Sequence, residues 1–191
     1  PDQPDSLSDN HILALHSDRK GLLWIGTNNG LNRFNHQQQT FNHYVNHPSD
    51  PHSLSHNSVH AILEDASGLL WVGTSDGLNR LDSIDEKAHF TRFKHHNSNP
   101  RSLSDTDIKR LFQDSHGSFW LGTQHGGLNR FNAKREDFVH FEYQPQDSHS
   151  LSDNTVRSIL EDQQGGLWIG SFVAGLSKIT PQRQDFGHVK H

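Results

Sequence analysis

The chain has 191 residues, 30% of them hydrophobic, a formal charge of −5, and neither cysteine nor methionine. Its apolar residues come in short runs separated by loops of Asn, Ser, Gln, His and Gly, so it reads as folded rather than disordered; the lack of cysteine excludes disulfides, zinc knuckles and thiol chemistry. A negative charge without a basic stripe argues against nucleic acid as a partner, and with no apolar run of about 18 residues and no signal-like segment, no membrane contact is expected of this piece.

In chain order, a first string, LHSDRKGLLWIGTNNGLNRFN, starts at Leu15, and close copies start at Leu63, Leu111 and Leu160. Trp24, Trp71, Trp120 and Trp168 follow one another at steps of 47, 49 and 48 residues, and a Ser-Leu-Ser begins at Ser6, Ser53, Ser102 and Ser150. A period in the high forties belongs to propeller blades and lies well above the roughly 34 residues of helical-hairpin repeats. The expected fold is an all-β propeller of four four-stranded blades, over residues 6–52, 53–101, 102–149 and 150–191, forming one repeat array.

The first blade has its first strand around Ile12, a turn at Asp18/Gly21, and a second strand carrying Trp24 and Gly26. In the second blade the strands are expected at Val59–Glu64, Leu69–Thr74, Leu78–Leu81 and Phe90–Lys94, because these branched and aromatic runs are bounded by turn formers. Asp65-Ala66-Ser67-Gly68 joins the first two as a hairpin turn, and Asp114/Gly117 and Asp162/Gly165 repeat it in the blades that start near Ile108 and Val156. The first strands are the natural inner strands of the ring. The second strand is apolar on both faces, as stacked blades require, and the glycine two residues after each tryptophan lets a neighbour approach closely. The four tryptophans are therefore structural.

A catalytic group is needed once, so positions that differ between copies are the better functional candidates. Glu64-Asp65 and Glu161-Asp162 are no acid/base couple, since neighbouring strand residues point to opposite faces. The cations Arg33, Arg80, Arg130 and Lys178 form one repeat column. The 17 histidines show no ligand spacing, and neither a metal nor another cofactor is expected. The second-to-third-strand turns vary, reading Asn28-Asn29, Ser75-Asp76, Gln124-His125-Gly126 and Phe172-Val173-Ala174, as do the residues before Ser-Leu-Ser, among them Arg101 and His149. Propeller geometry puts both sets on one rim. Asn28, Asn29, Asp76, Arg101, Gln124, His125, His149 and Phe172 are therefore the candidate binding residues for a small polar ligand, a glycan or a protein loop. An enzyme on this scaffold, a lyase or glycan-active protein, would need an unrepeated acid or base, for which His125 is the nominee; a plain interaction scaffold is the other alternative.

Leu-Ser-x-Asn before a Val/Ile run, Glu-Asp-x-x-Gly-x-Leu-Trp-Ile-Gly-Thr and Gly-Leu-Asn-Arg-Phe together resemble the two-component regulator propeller repeat over essentially the whole chain. The resemblance implies the sensor region of a bacterial membrane receptor, periplasmic or otherwise extracytoplasmic, non-enzymatic in itself and followed in its parent by a kinase or cyclase output. It also implies a ring of about seven blades, of which this chain supplies four. Since the chain begins PDQPD and ends DFGHVKH, between blades, it is expected to stay open or to associate with a second copy through its terminal blades.

Overall fold

The computed structural model describes residues 5–84, 87–179 and 186–189. The first four residues of the opening PDQPD, and residues 185 and 190–191 of the closing stretch, lie outside them. Sixteen β-strands form four antiparallel sheets, each with its strands in sequence order: β1–β4, β5–β8, β9–β12 and β13–β16. There is no helix among the described residues. The first sheet comprises β1 (Ile12–Ser17), β2 (Leu23–Thr27), β3 (Gly30–Asn35) and β4 (Thr40–Tyr44). The second comprises β5 (Val59–Glu64), β6 (Leu70–Thr74), β7 (Gly77–Ile84) and β8 (Ala88–Phe93). The third comprises β9 (Ile108–Gln113), β10 (Phe119–Thr123), β11 (Leu128–Asn132) and β12 (Asp137–Phe141). The fourth comprises β13 (Val156–Glu161), β14 (Leu167–Ser171), β15 (Leu176–Ile179) and β16 (Phe186–Val189). This is an all-β propeller architecture with four blades. The third strand of the second blade runs three residues past the expected end at Leu81, because Ser83 and Ile84 go on pairing with His89 and Ala88 beyond an irregularity.

The chain divides into two compact units, Pro1–Phe93 and Lys94–His191, each holding two blades. In the first unit β5 packs against β1 and β2; in the second, β13 packs against β9 and β10. First strands are thus the sheet edges that meet between neighbouring blades. Trp24, Leu31, Leu54, Val59, Val72 and Phe90 belong to the core of the first unit, and Trp120, Leu128, Leu151, Val156, Ile169 and Phe186 to that of the second. Close approach is enforced at Gly26, where an added Cβ would sit 2.7 Å from both Cγ1 and the carbonyl oxygen of Val59 on the next blade.

The repeated turn does more than reverse the chain. Asp65 Oδ1 accepts from the backbone N–H groups of Ser67 and Leu69 at 2.8 and 3.1 Å, while Oδ2 accepts from Trp71 Nε1 at 2.7 Å. Gly68 takes the left-handed φ of +87° that closes the turn. Asp18, Asp114 and Asp162 hold Trp24, Trp120 and Trp168 in the same way, at 2.8–2.9 Å. Burial pushes the Asp65 carboxyl up, and the bonds from Ser67, Trp71 and Leu69 outweigh it, so its pKa lies below the ordinary value. Trp24, Trp71 and Trp120 are buried, whereas Trp168 is only half-buried. The face of β14 that carries it is not covered as the equivalent faces of β2 and β10 are.

Candidate functional site

Ser-Leu-Ser fixes where the variable loops go. The first serine closes its own loop: Ser53 Oγ accepts from His47 N at 2.8 Å and donates to the carbonyls of His47 and Asp50. In the last three copies the leucine is lost in the core, with Leu54 and Leu103 0% exposed and Leu151 1%, while Leu7 is half-buried. The second serine meets the asparagine of the third strand: Asn79 Oδ1 accepts from Ser55 N at 2.8 Å, and Asn79 Nδ2 donates to Ser55 Oγ at 2.9 Å and to the carbonyl of Val72 at 3.2 Å. Asn32 and Asn129 do the same for Ser8 and Ser104, and Ser177 replaces them in the last blade. Pairing each loop to a fixed column of its own blade leaves the turns between second and third strands as outward tips.

In the first unit these tips stand side by side through Ser58, whose carbonyl accepts from Ser75 N at 3.2 Å and whose hydroxyl donates to Asn28 Oδ1 at 3.2 Å. Asn28 and Asn29 are exposed and Asp76 is half-buried. In the second unit Gly127 N donates to the Asn154 carbonyl and Phe172 N to the Thr155 carbonyl, so the Gln124–Gly127 and Phe172–Ala174 turns flank one short segment. His125 is exposed, and its backbone N–H donates to Asp105 Oδ2 at 2.7 Å. Phe172 and Val173 are 68% and 74% exposed.

Arg101 and His149 are not on this rim, contrary to the expectation that both sets share it. The loop before each first strand dips along the outer edge of the same blade's fourth strand: Phe138 N donates to the Arg101 carbonyl at 2.8 Å, and Phe186 N to that of His149 at 2.9 Å. Arg101 Nη1 lies 3.8 Å from Asp137 Oδ2, at the end of β12 remote from the Gln124–Gly127 turn. Four strand residues separate the two ends, or about 13 Å. An uncovered fourth-strand edge is a row of unpaired backbone groups, and the loop is drawn down to cover it.

A second variable column at the rim was not recognised from sequence. The first strand of each blade has a register shift that bulges out one residue: Leu13, His60, Lys109 and Arg157. Such bulges re-aim a side chain. His60 Nε2 lies 2.8 Å from Ser75 Oγ, Lys109 Nζ lies 2.8 Å from Asp107 Oδ1, and the Arg157 guanidinium sits 5.1 Å from the Phe172 ring centroid. The apolar tip at Phe172 is thus paired with a cation, in a geometry that offers a flat aromatic face and guanidinium donors together. The signal in sequence was the alternation, which slips by one residue in Ile108-Lys109-Arg110-Leu111 and Val156-Arg157-Ser158-Ile159 but not in the first two blades. The recurring cations do different work, since Arg33, Arg80, Arg130 and Lys178 each lie over the tryptophan of their own blade at 4.6–5.8 Å. Among the described residues no three His, Asp or Glu side chains gather as a metal site.

The family model for the two component regulator propeller matches residues 6–29, 53–76, 102–125 and 150–172. The structure is similar to the extracellular domain of a hybrid two-component system, BT3049, from B. thetaiotaomicron, with a TM-score of 0.83 and 25% identity over 97% of this chain and 25% of that one. A second such domain, BT4673 from the same organism, gives 0.74 and 22% over the same shares. The chain therefore spans about a quarter of the length of these two. Virginiamycin B lyase from Staphylococcus aureus gives 0.67 at 16% identity, over 94% of this chain and 55% of that one, a likeness of fold alone. Among curated proteins none matches the sequence.

Proposed function

The chain belongs to the two-component regulator propeller family, and from that premise we propose that it is an extracytoplasmic ligand-sensing propeller of a bacterial signal-transduction receptor, acting by binding and not by catalysis. The observation that carries this reading is the division of labour within the repeat. Groups shared by the copies are consumed in the scaffold, as the Asp–Trp and Asn–Ser bonds show. Side chains at the rim differ from blade to blade, and most of them, Asn28, Asn29, His125 and Phe172 among them, are exposed. The extracytoplasmic placement is supported by the likeness to the two extracellular domains. A binding role is supported at His125, the one nominee for acid/base work: it is exposed on a turn tip, and among the described residues its ring has no hydrogen-bond partner to set a tautomer or share a proton.

The ligand class that fits the Phe172–Arg157 pair is a polar molecule with one flat apolar face, such as a sugar ring or a small glycan, with Gln124 and His125 on the adjoining turn. A thermal-shift screen of the chain against mono- and oligosaccharides tests it. A sugar should raise the melting temperature, and Phe172→Ser or Arg157→Gln should abolish that shift while leaving the unliganded melting temperature unchanged. A shift that survives both substitutions removes the site, and turnover of the bound sugar removes the non-enzymatic reading.

A further inference from the structure

A cleft of about 400 Å³ opens between the first two blades, at the end carrying the turns between first and second strands and so opposite the rim of variable tips. That volume is in the range of small-molecule sites. Its polar groups are unevenly committed. The acceptors are taken: Asp18 holds Trp24 Nε1 and the backbone N–H groups of Lys20 and Leu22, and Glu64 accepts from Arg19 N at 2.8 Å. Asp82 is bound by Arg80 Nε at 2.7 Å and by Thr91 Oγ1 at 2.6 Å.

The cationic donors are less committed. Arg33 occupies the repeat position of Arg80, but where Arg80 has Asp82 two residues on, Arg33 has Asn35, whose side chain caps the following turn instead. Arg33 is left over the face of Trp24, 5.8 Å from the ring centroid, with one long bond of 3.4 Å to Asn42 Oδ1. Among the described residues no carboxylate is in ion-pair range of Arg33, nor of the Lys20 ammonium that shares the cleft. Leu22, Leu69 and Ile84 supply an apolar wall, and Leu69 remains 37% exposed.

We infer that this cleft is a binding site for a small organic carboxylate with an apolar body, the carboxylate held by the fork of Arg33 with Lys20 beside it and the body laid against Leu22 and Leu69. Arginine suits the role because its planar fork matches a carboxylate, and stacking on Trp24 limits its motion before a ligand arrives. Three carboxylates also line the cleft: Arg80 offsets Asp82, and Asp18 and Glu64 are turned to the N–H groups of the turn and of Trp24, which leaves Arg33 and Lys20 as the cations open to an anion. The site is independent of the sensing rim, so either can fail without the other.

Isothermal titration of the 191-residue chain with hexanoate tests the inference, with hexanol, hexylamine and glucuronate as controls. Hexanoate should bind with a dissociation constant of roughly 1 mM or tighter, and each control at least tenfold more weakly. Arg33→Gln should weaken hexanoate at least tenfold. Asn35→Asp gives Arg33 the carboxylate that Arg80 already has while keeping the acceptor that caps the turn; it should suppress binding as strongly, with the urea midpoint unchanged or raised. Hexanol binding as well as hexanoate, glucuronate binding equally well, full affinity in Asn35→Asp, or no heat from hexanoate at 10 mM (about ten times that constant) would each overturn the assignment.

Discussion

Replacing Asn79 by alanine removes a side chain that is 0% exposed and makes three hydrogen bonds, with the backbone and hydroxyl of Ser55 and with the carbonyl of Val72. At about 1 kcal/mol net per bond the direct loss is about 3 kcal/mol, and the Ser55 N–H stranded without water brings the expected cost to about 3–4 kcal/mol. The chain contains its own control. In the last blade Ser177 stands in the same column, accepts from Ser152 N at 3.1 Å and donates to Ser152 Oγ at 2.9 Å, so a serine can hold this loop without reaching the second strand. Asn79→Ser should therefore keep two of the three bonds and cost about 1–2 kcal/mol. Urea unfolding followed by tryptophan fluorescence measures both. If alanine costs less than about 1 kcal/mol, or serine as much as alanine, then the asparagine column does not anchor the loops and the account of how the rim is positioned is wrong.

Trp71→Ala should destabilise by about 3–5 kcal/mol, as deletion of a large core aromatic does; an unchanged urea midpoint would contradict it. Gly122→Val places a side chain where even a Cβ would lie 2.5 Å from Val156 Cγ1, so it should cost about 1–3 kcal/mol or more through displacement of β13, and calorimetry showing no loss would deny the tight blade contact. Acid should weaken the fold. The Asp65 carboxyl, and the Asp162 carboxyl held well below the usual range by Lys178 and then by Trp168, bind protons less readily folded than unfolded, where 3.8 applies. Their contribution is complete above that value and lost as the pH falls toward the folded pKa, so urea midpoints should drop below about pH 4; a rise in that range would reverse the sign. Ile12 and Leu15 are 43% and 66% exposed where Val59, Ile108 and Val156, and Leu111 and Ile159, are buried, so sedimentation should detect concentration-dependent self-association that Leu15→Glu abolishes; a monomer at all concentrations would refute it.

The sequence by itself determined the elements whose causes are local and repeated. An Asp and a Gly three residues apart make the turn, a tryptophan three residues further on reaches back to that Asp, and recurrence every 48 residues or so identifies blades. These contacts span six residues or fewer, and four copies make the signal unmistakable. What the tertiary structure decided depends on contacts that the linear order of the residues does not announce. Ser55 is recognisable as part of a motif, but only the fold brings it to Asn79. Arg101 and His149 stand beside Ser-Leu-Ser in sequence, yet the need to cover a fourth-strand edge carries them to the far end of their blades. Arg157 looks like one more strand residue until a bulge turns it onto Phe172, and Arg33 looks identical to Arg80 until the residue two positions on proves to be an amide that answers to its own turn. Local chemistry chose the strands and turns; which side chains were left unpaired, and where, was settled by the packing of one blade on the next and by the path of the loops between them.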